Sequence, residues 1–264
     1  MTNAIHVYVN ATQISVRRQS GYWWNEKVES IGAWNWNSLV PSSLSFEPLH
    51  RRKNSREYLH VYLGSALCKF TTVDLPKGLN DIGEQQLAAR AYMQNQLGLK
   101  ASEWQFTIDF TSSDKVVVCA IRRVLIEKIQ ELSNESGFHL ASIKPFVVGV
   151  WNTFQKNLDV SDANRTALVA IENDAFTVFV TRLGVLESMN AITHECDVLL
   201  VERESRRLSF SFTDAEQNNI YFAVPEKIIG TPQIHVDRIL RKDKYLNKSS
   251  YIDFRDLVFS TAAE

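Results

Sequence analysis

The chain has 264 residues, of which 45% are hydrophobic and 22% charged, with a net charge of -1. That length suits one large domain or two of about 100 to 150 residues, each able to bury a core without staples. The charge balance excludes any overall electrostatic preference for nucleic acid or anionic membrane, and three widely spaced cysteines exclude a disulfide framework.

The predicted elements begin with a β-hairpin. Ile5, Val7 and Val9 alternate with His6, Tyr8 and Asn10, and Ile14 and Val16 alternate again, which predicts strands over residues 4–18. Residues 21–37 hold Tyr22, Trp23, Trp24, Trp34 and Trp36, with a third strand over 24–31. Residues 38–57 carry Pro41, Pro48 and the basic run His50-Arg51-Arg52-Lys53, a composition that favours a loop or a short helix. Strands follow over 58–63 and 67–73, punctuated by Gly64-Ser65 and ended by Pro76. Asn80 or Asp81 caps a helix over 82–97, with Glu84 in capping-box position, an apolar face of Leu87, Ala88, Ala91 and Leu97, and Gly98 as its stop.

Residues 104–110 and 116–121 are two more strands across the polar turn Thr111-Ser112-Ser113-Asp114. Val124, Leu125, Ile129 and Leu132 then mark the apolar face of a second helix that Gly137 ends. A strand over 138–143 leads to Pro145, which suits the first turn of a third helix carrying Val148, Trp151 and Phe154. The polar stretch 157–164 reads as a hinge. Beyond it come strands over 166–171, 175–181 and 185–191, a helix over 193–207 and a strand over 219–224. The last 40 residues are basic and mixed, with Arg238, Arg241, Lys242, Lys244 and Lys248 among them.

Catalytic and metal-binding signatures are missing from this series. There is no Gly-x-Ser-x-Gly, Gly-x-x-x-x-Gly-Lys or Gly-x-Gly-x-x-Gly. The six histidines are scattered, and His194-Glu195-Cys196 lacks the spacing of a zinc site. The first strands offer no carboxylates that could hold the two metals of a ribonuclease H-like nuclease.

Three strands, a helical crossover, another strand and another helix, given twice, is the order of the ribonuclease H-like and actin-like ATPase superfamily. Residues 59–152 sharpen the likeness. Val73-Asp74-Leu75-Pro76 ends an apolar strand pair, the helix containing Glu84-Gln85-Gln86-Leu87-Ala88 follows, and Val117-Val118-Cys119-Ala120 feeds a helix that stops at Gly137-Phe138. This stretch resembles the cytoplasmic actin-like domains of the PilM family of type IV pilus proteins and of the type II secretion L proteins.

The resemblance implies a mixed α/β fold of tandem ribonuclease H-like domains, 1–157 and a second, truncated one over 165–264. It implies a cytoplasmic protein, peripheral to the inner membrane through its partners. Those partners would be membrane-anchored and cytoplasmic proteins of a pilus or secretion machine; nucleic acid is not among them, and self-association stays open. A soluble member would take an extended peptide at a groove in the first domain.

In nucleotide-binding members an Asp-x-Gly turn and a Gly-rich turn hold the phosphates. Here the corresponding turns are Val9-Asn10-Ala11-Thr12 and Ile171-Glu172-Asn173-Asp174-Ala175-Phe176-Thr177, both without glycine, so a Cβ stands in the way of phosphate approach. ATP with magnesium is therefore disfavoured, and a non-catalytic scaffold is expected. Two alternatives remain open. An active ATPase with divergent phosphate loops would use Glu172, Asp174 and Thr177 to hold the nucleotide. A carbohydrate or peptide binder would present Trp23, Trp34 and Trp36 as an exposed platform.

Overall fold

The computed structural model describes residues 2–223 except 23–24, 48, 50–56, 77, 80, 111–114, 158–164, 195–202, 205–206 and 209–217. The basic C-terminal stretch, the run Arg51-Arg52-Lys53, Trp23 and Cys196 lie outside the described residues.

Strands β1 (Thr2–Val9), β2 (Gln13–Tyr22) and β3 (Asn25–Asn35) form an antiparallel meander. β4 (Tyr58–Leu63) then joins the other side of β1 in parallel, and β8 (His139–Pro145) joins β4 in parallel, which gives the order β3-β2-β1-β4-β8. Ile5, Val7 and Val9 are wholly buried on one face of β1, and Val61 and Leu63 are wholly buried on β4. The polar alternates His6, Tyr8 and Tyr62 are buried as well. A sheet covered on both faces has to pair its polar side chains internally. His6 accordingly contacts Tyr62 Oη at 3.3 Å and Gln19 Oε1 at 2.5 Å and stacks on His60.

Between β4 and β8 the chain makes a small module. β5 (Cys68–Asp74), β7 (Lys115–Arg122) and β6 (Trp104–Phe110) form a three-stranded antiparallel sheet with β7 in the centre, and helix α1 (Ile82–Leu97) lies on one face of it. Asp81 caps α1 by accepting the Glu84 amide, and Gly98 ends it at φ +63°, as the sequence predicts. The buried face is different from the predicted one: Ala89 and Met93 are wholly buried, whereas Leu87 and Leu97 are exposed. A three-stranded sheet presents only a narrow apolar strip, so most of the helix circumference is left to solvent.

Helix α2 (Arg123–Glu135) packs on β7 and β8, burying Leu125, Ile126, Ile129 and Leu132; Val124, predicted on that face, is half exposed. Helix α3 (Phe146–Asn157) begins one residue after Pro145, which itself closes β8. Proline there still fits, because the residue before a helix needs no intrahelical N–H.

A second sheet repeats the first in miniature. β9 (Arg165–Ile171), β10 (Ala175–Arg182) and β11 (Val185–Thr193) run antiparallel, and β12 (Asn218–Ala223) pairs with β9 in parallel, giving β11-β10-β9-β12. This is the arrangement of β3-β2-β1-β4 again. Thr193 ends β11, so the helix predicted over 193–207 does not start there; residues 203–204 and 207–208 are helical.

One apolar cluster runs through both sheets, from Ile5, Val61 and Ile129 to Leu168, Phe179 and Met189. α3 bridges them: Phe146 meets Tyr8 edge-on at 4.9 Å, and Trp151 stacks on Phe179 at 5.0 Å.

Candidate functional site

The duplicated topology places two equivalent turns face to face. The β1–β2 turn is Asn10-Ala11-Thr12 and the β9–β10 turn is Glu172-Asn173-Asp174. Asn10 shapes the first turn, its Oδ1 accepting the amides of Thr12 at 3.0 Å and Gln13 at 2.7 Å, as a short Asx turn does. In the second turn the Glu172 amide donates to Ala175 O, and the Asp174 carbonyl accepts the His194 amide.

The two turns bond directly to each other. The Ala11 amide donates to Asp174 Oδ2 at 2.6 Å. The Tyr8 hydroxyl donates to Glu172 Oε2 at 2.6 Å, and the Ser65 amide donates to Glu172 Oε1 at 3.0 Å. Ser65 and Thr177 share a hydroxyl-to-hydroxyl bond of 2.8 Å. Ser65 is presented by the 3-10 turn over 65–67 that follows β4, where the Gly64 amide donates to Val9 O. Asn10, Ser65, Glu172 and Thr177 are all buried.

Burial dominates the electrostatics. It pushes the Glu172 carboxyl up to about 7 against the pull of its hydrogen bonds from Ser65 and Tyr8. It likewise raises the Asp174 carboxyl. The Tyr8 hydroxyl is lifted well above its ordinary value by burial and then by the Glu172 charge, so it stays a donor. Asp174 Oδ1 is buried without a hydrogen-bond partner.

Glu172, Asp174 and Thr177, the residues predicted to hold a nucleotide if one binds, are thus brought together at one seam, and each is already engaged by the first half of the chain. Tyr8 and Ser65 escape a motif search because their contacts span 164 and 107 residues of sequence. The one local signal is Gly64-Ser65 directly after an apolar strand.

The predicted aromatic platform does not form around Trp36, which is buried and donates its indole N–H to Asn10 O at 2.7 Å. Trp34 is half-buried and donates to Ser45 O. Both rings pack around the β1–β2 turn and the loop after β3, because a sheet edge carrying large aromatics gains most by covering them.

A second feature is a groove of about 280 Å³ between the small module and the first sheet. Ile121, Ile126, Leu140 and Ile143 make its apolar part, and Gln105, Thr107, Gln130 and Ser142 its polar part. β6 and β8, which flank it, are each the last strand of their sheet among the described residues.

No family model matches the sequence, and none of the curated proteins matches it. Solved structures do. One is a Bacteroides thetaiotaomicron protein of unknown function described as having an actin-like ATPase fold, at TM-score 0.61 and 11% identity, covering 98% of this chain and 96% of that one. The chain has the actin-like ATPase fold. PilM in a PilM-PilN type IV pilus biogenesis complex shares this actin-like fold with it at TM-score 0.61 and 12% identity, over 89% and 85% of the two chains. The cytoplasmic domain of EpsL, an inner-membrane component of the Vibrio cholerae type II secretion system, does so at TM-score 0.53 and 12% identity, over 85% and 84%. Among the described residues of this actin-like chain, no helix is long and apolar enough to cross a membrane.

Proposed function

We propose that this protein is a non-catalytic scaffold of an envelope assembly machine of the pilus or type II secretion kind, holding partner proteins through an actin-like fold whose nucleotide crevice has been given up. The observation that carries this reading is the seam itself: the two turns that would face the phosphates are bonded to each other through Asp174 and Ala11, with Glu172 buried between Tyr8 and Ser65. A triphosphate placed there would bring several negative charges against two carboxylates. Tyr8 Oη and the Ala11 and Ser65 amides are occupied by those carboxylates, and Asn10 Nδ2 is the buried donor left beside them. The residues present do not fit ATP and magnesium.

The fold shared with PilM and with the EpsL domain supports the choice of machine. The partner surface is the groove between β6 and β8. Two strand edges, unpaired among the described residues, beside an apolar floor suit an extended peptide, which adds main-chain hydrogen bonds to an edge and lodges alternate side chains in the floor.

Calorimetry with magnesium-ATP, paired with a pull-down from the native host, tests both parts. Wild type is expected to give no binding heat up to about 1 mM nucleotide, weaker than the ~4 kcal/mol that such a constant represents. Thr107→Arg, an exposed change at the groove mouth, is expected to reduce partner recovery several-fold. Micromolar ATP binding would overturn the reading of the crevice, and undiminished recovery with Thr107→Arg would remove the groove.

A further inference from the structure

Three bonds at the seam cross from the first half to a carboxylate of the second in the same direction, beside the Ser65–Thr177 hydroxyl pair. The first half supplies the donors, Tyr8 Oη and the amides of Ala11 and Ser65; the second half supplies the carboxylate acceptors Glu172 and Asp174. We propose that Glu172 and Asp174 are a built-in latch, two carboxylates of the second half that occupy main-chain donors in the turns of the first and hold the halves closed with no bound ligand. The proposal concerns the same seam as the functional reading above but does not depend on whether a nucleotide binds.

Three further features point the same way. Gly64 has φ -62°, a value open to any residue, so its backbone does not require glycine. What requires it is space: a Cβ there would lie 2.9 Å from Glu172 Oε2 and 3.2 Å from Asn10 Cα. The space left by the missing Cβ is thus shared by the carboxylate of the second half and the first half's own turn at Asn10.

The second feature is rigidity on each side. Asn10 organises its turn internally, and Glu172 and Asp174 are tied into their own sheet through Ala175 and His194, so neither partner has to be ordered when the latch closes. The third is register. The rest of the seam is largely apolar packing, Trp151 on Phe179 and the shared cluster, whose attraction is non-directional. Hydrogen bonds from fixed amides are directional and fix one position.

Hydrogen exchange on the full chain, at a single pH and without nucleotide, is the test. Asp174→Ala is expected to speed exchange at the Ala11 amide and across residues 64–67 about ten-fold, while the β5–β7 ladder keeps its protection. Asp174→Asn, which retains an acceptor, is expected to recover part of that protection. Gly64→Ala, which leaves both carboxylates in place but pushes Glu172 back, is expected to reproduce the local pattern, and it carries the test if Asp174→Ala does not fold.

Unchanged turn amides in both variants, or a loss of protection spread evenly through β5–β7, would overturn the latch. So would a wild type whose Ala11 and Ser65 amides exchange as fast as those of an open turn. ATP calorimetry on the wild type reads the crevice and exchange in the ligand-free variants reads the latch, so either idea can fail without the other.

Discussion

Glu172 and His6 are two buried titratable groups whose protonation works in opposite directions. Burial raises Glu172 from 4.5 to about 7, so the folded state binds a proton that the unfolded chain has lost, and stability falls as pH rises between those values. Burial lowers His6 from 6.5 to about 4, with the neighbouring His60 adding to the effect. The folded state then refuses a proton that the unfolded chain takes, and stability rises with pH across that window. Between pH 4.5 and 6.5 the two slopes oppose each other, and the contribution of the pair is nearly flat. Glu172→Gln removes one slope. Its stability in chemical denaturation is expected to climb by roughly 3 kcal/mol from about pH 4 to 6.5, against a much flatter wild type, since a tenfold change in proton affinity is worth about 1.4 kcal/mol. Parallel profiles for the two proteins would show that Glu172 does not titrate in this range. Neither perturbation follows from the sequence, where His6 and Glu172 look like the polar alternates of strands and turns.

At the scale of elements, periodicity located strands and helices well because it reports local geometry. Helix 82–97 starts and ends where Asp81 and Gly98 predict, and the strands at 58–63 and 104–110 match to the residue. What periodicity misjudged was which side each element buries. On α1 the helical spacing of Leu87 and Leu97 marked them as core, yet the narrow sheet beneath has room only for Ala89, Met93 and the residues in line with them. Met93→Ala is therefore expected to cost about 2 to 4 kcal/mol. Leu87→Ala is expected to change stability by less than about 0.5 kcal/mol. Urea denaturation of the two variants side by side checks the assignment, and equal losses would contradict it. The helix expected over 193–207 failed at its start for a related reason: Thr193 completes the ladder opposite Ala175, and a paired strand outcompetes a weak helical pattern.

For the whole molecule, the continuity of the core is the decisive property. Among the described residues, the cluster that joins Ile5 and Ile129 to Phe179 and Met189 runs from one half into the other without an apolar boundary between them. Tryptophan fluorescence and far-ultraviolet circular dichroism are expected to report one coincident unfolding transition, and two separated midpoints would show that the sheets melt independently.

The sequence by itself determined most of the element order, the recurrence of three strands followed by another, and the lack of glycine in both crevice turns, because each of these is written in residues a few positions apart; the parallel pairing of β4 on β1 and of β12 on β9 came from the structure. Only the tertiary structure decided that the two turns meet, that Tyr8 and Ser65 close on Glu172, and that Trp36 is packed rather than displayed. Those outcomes depend on residues more than a hundred positions apart, or on how loops fold back over a sheet. Such contacts are selected by the packing of one sheet against another, which a local pattern does not carry.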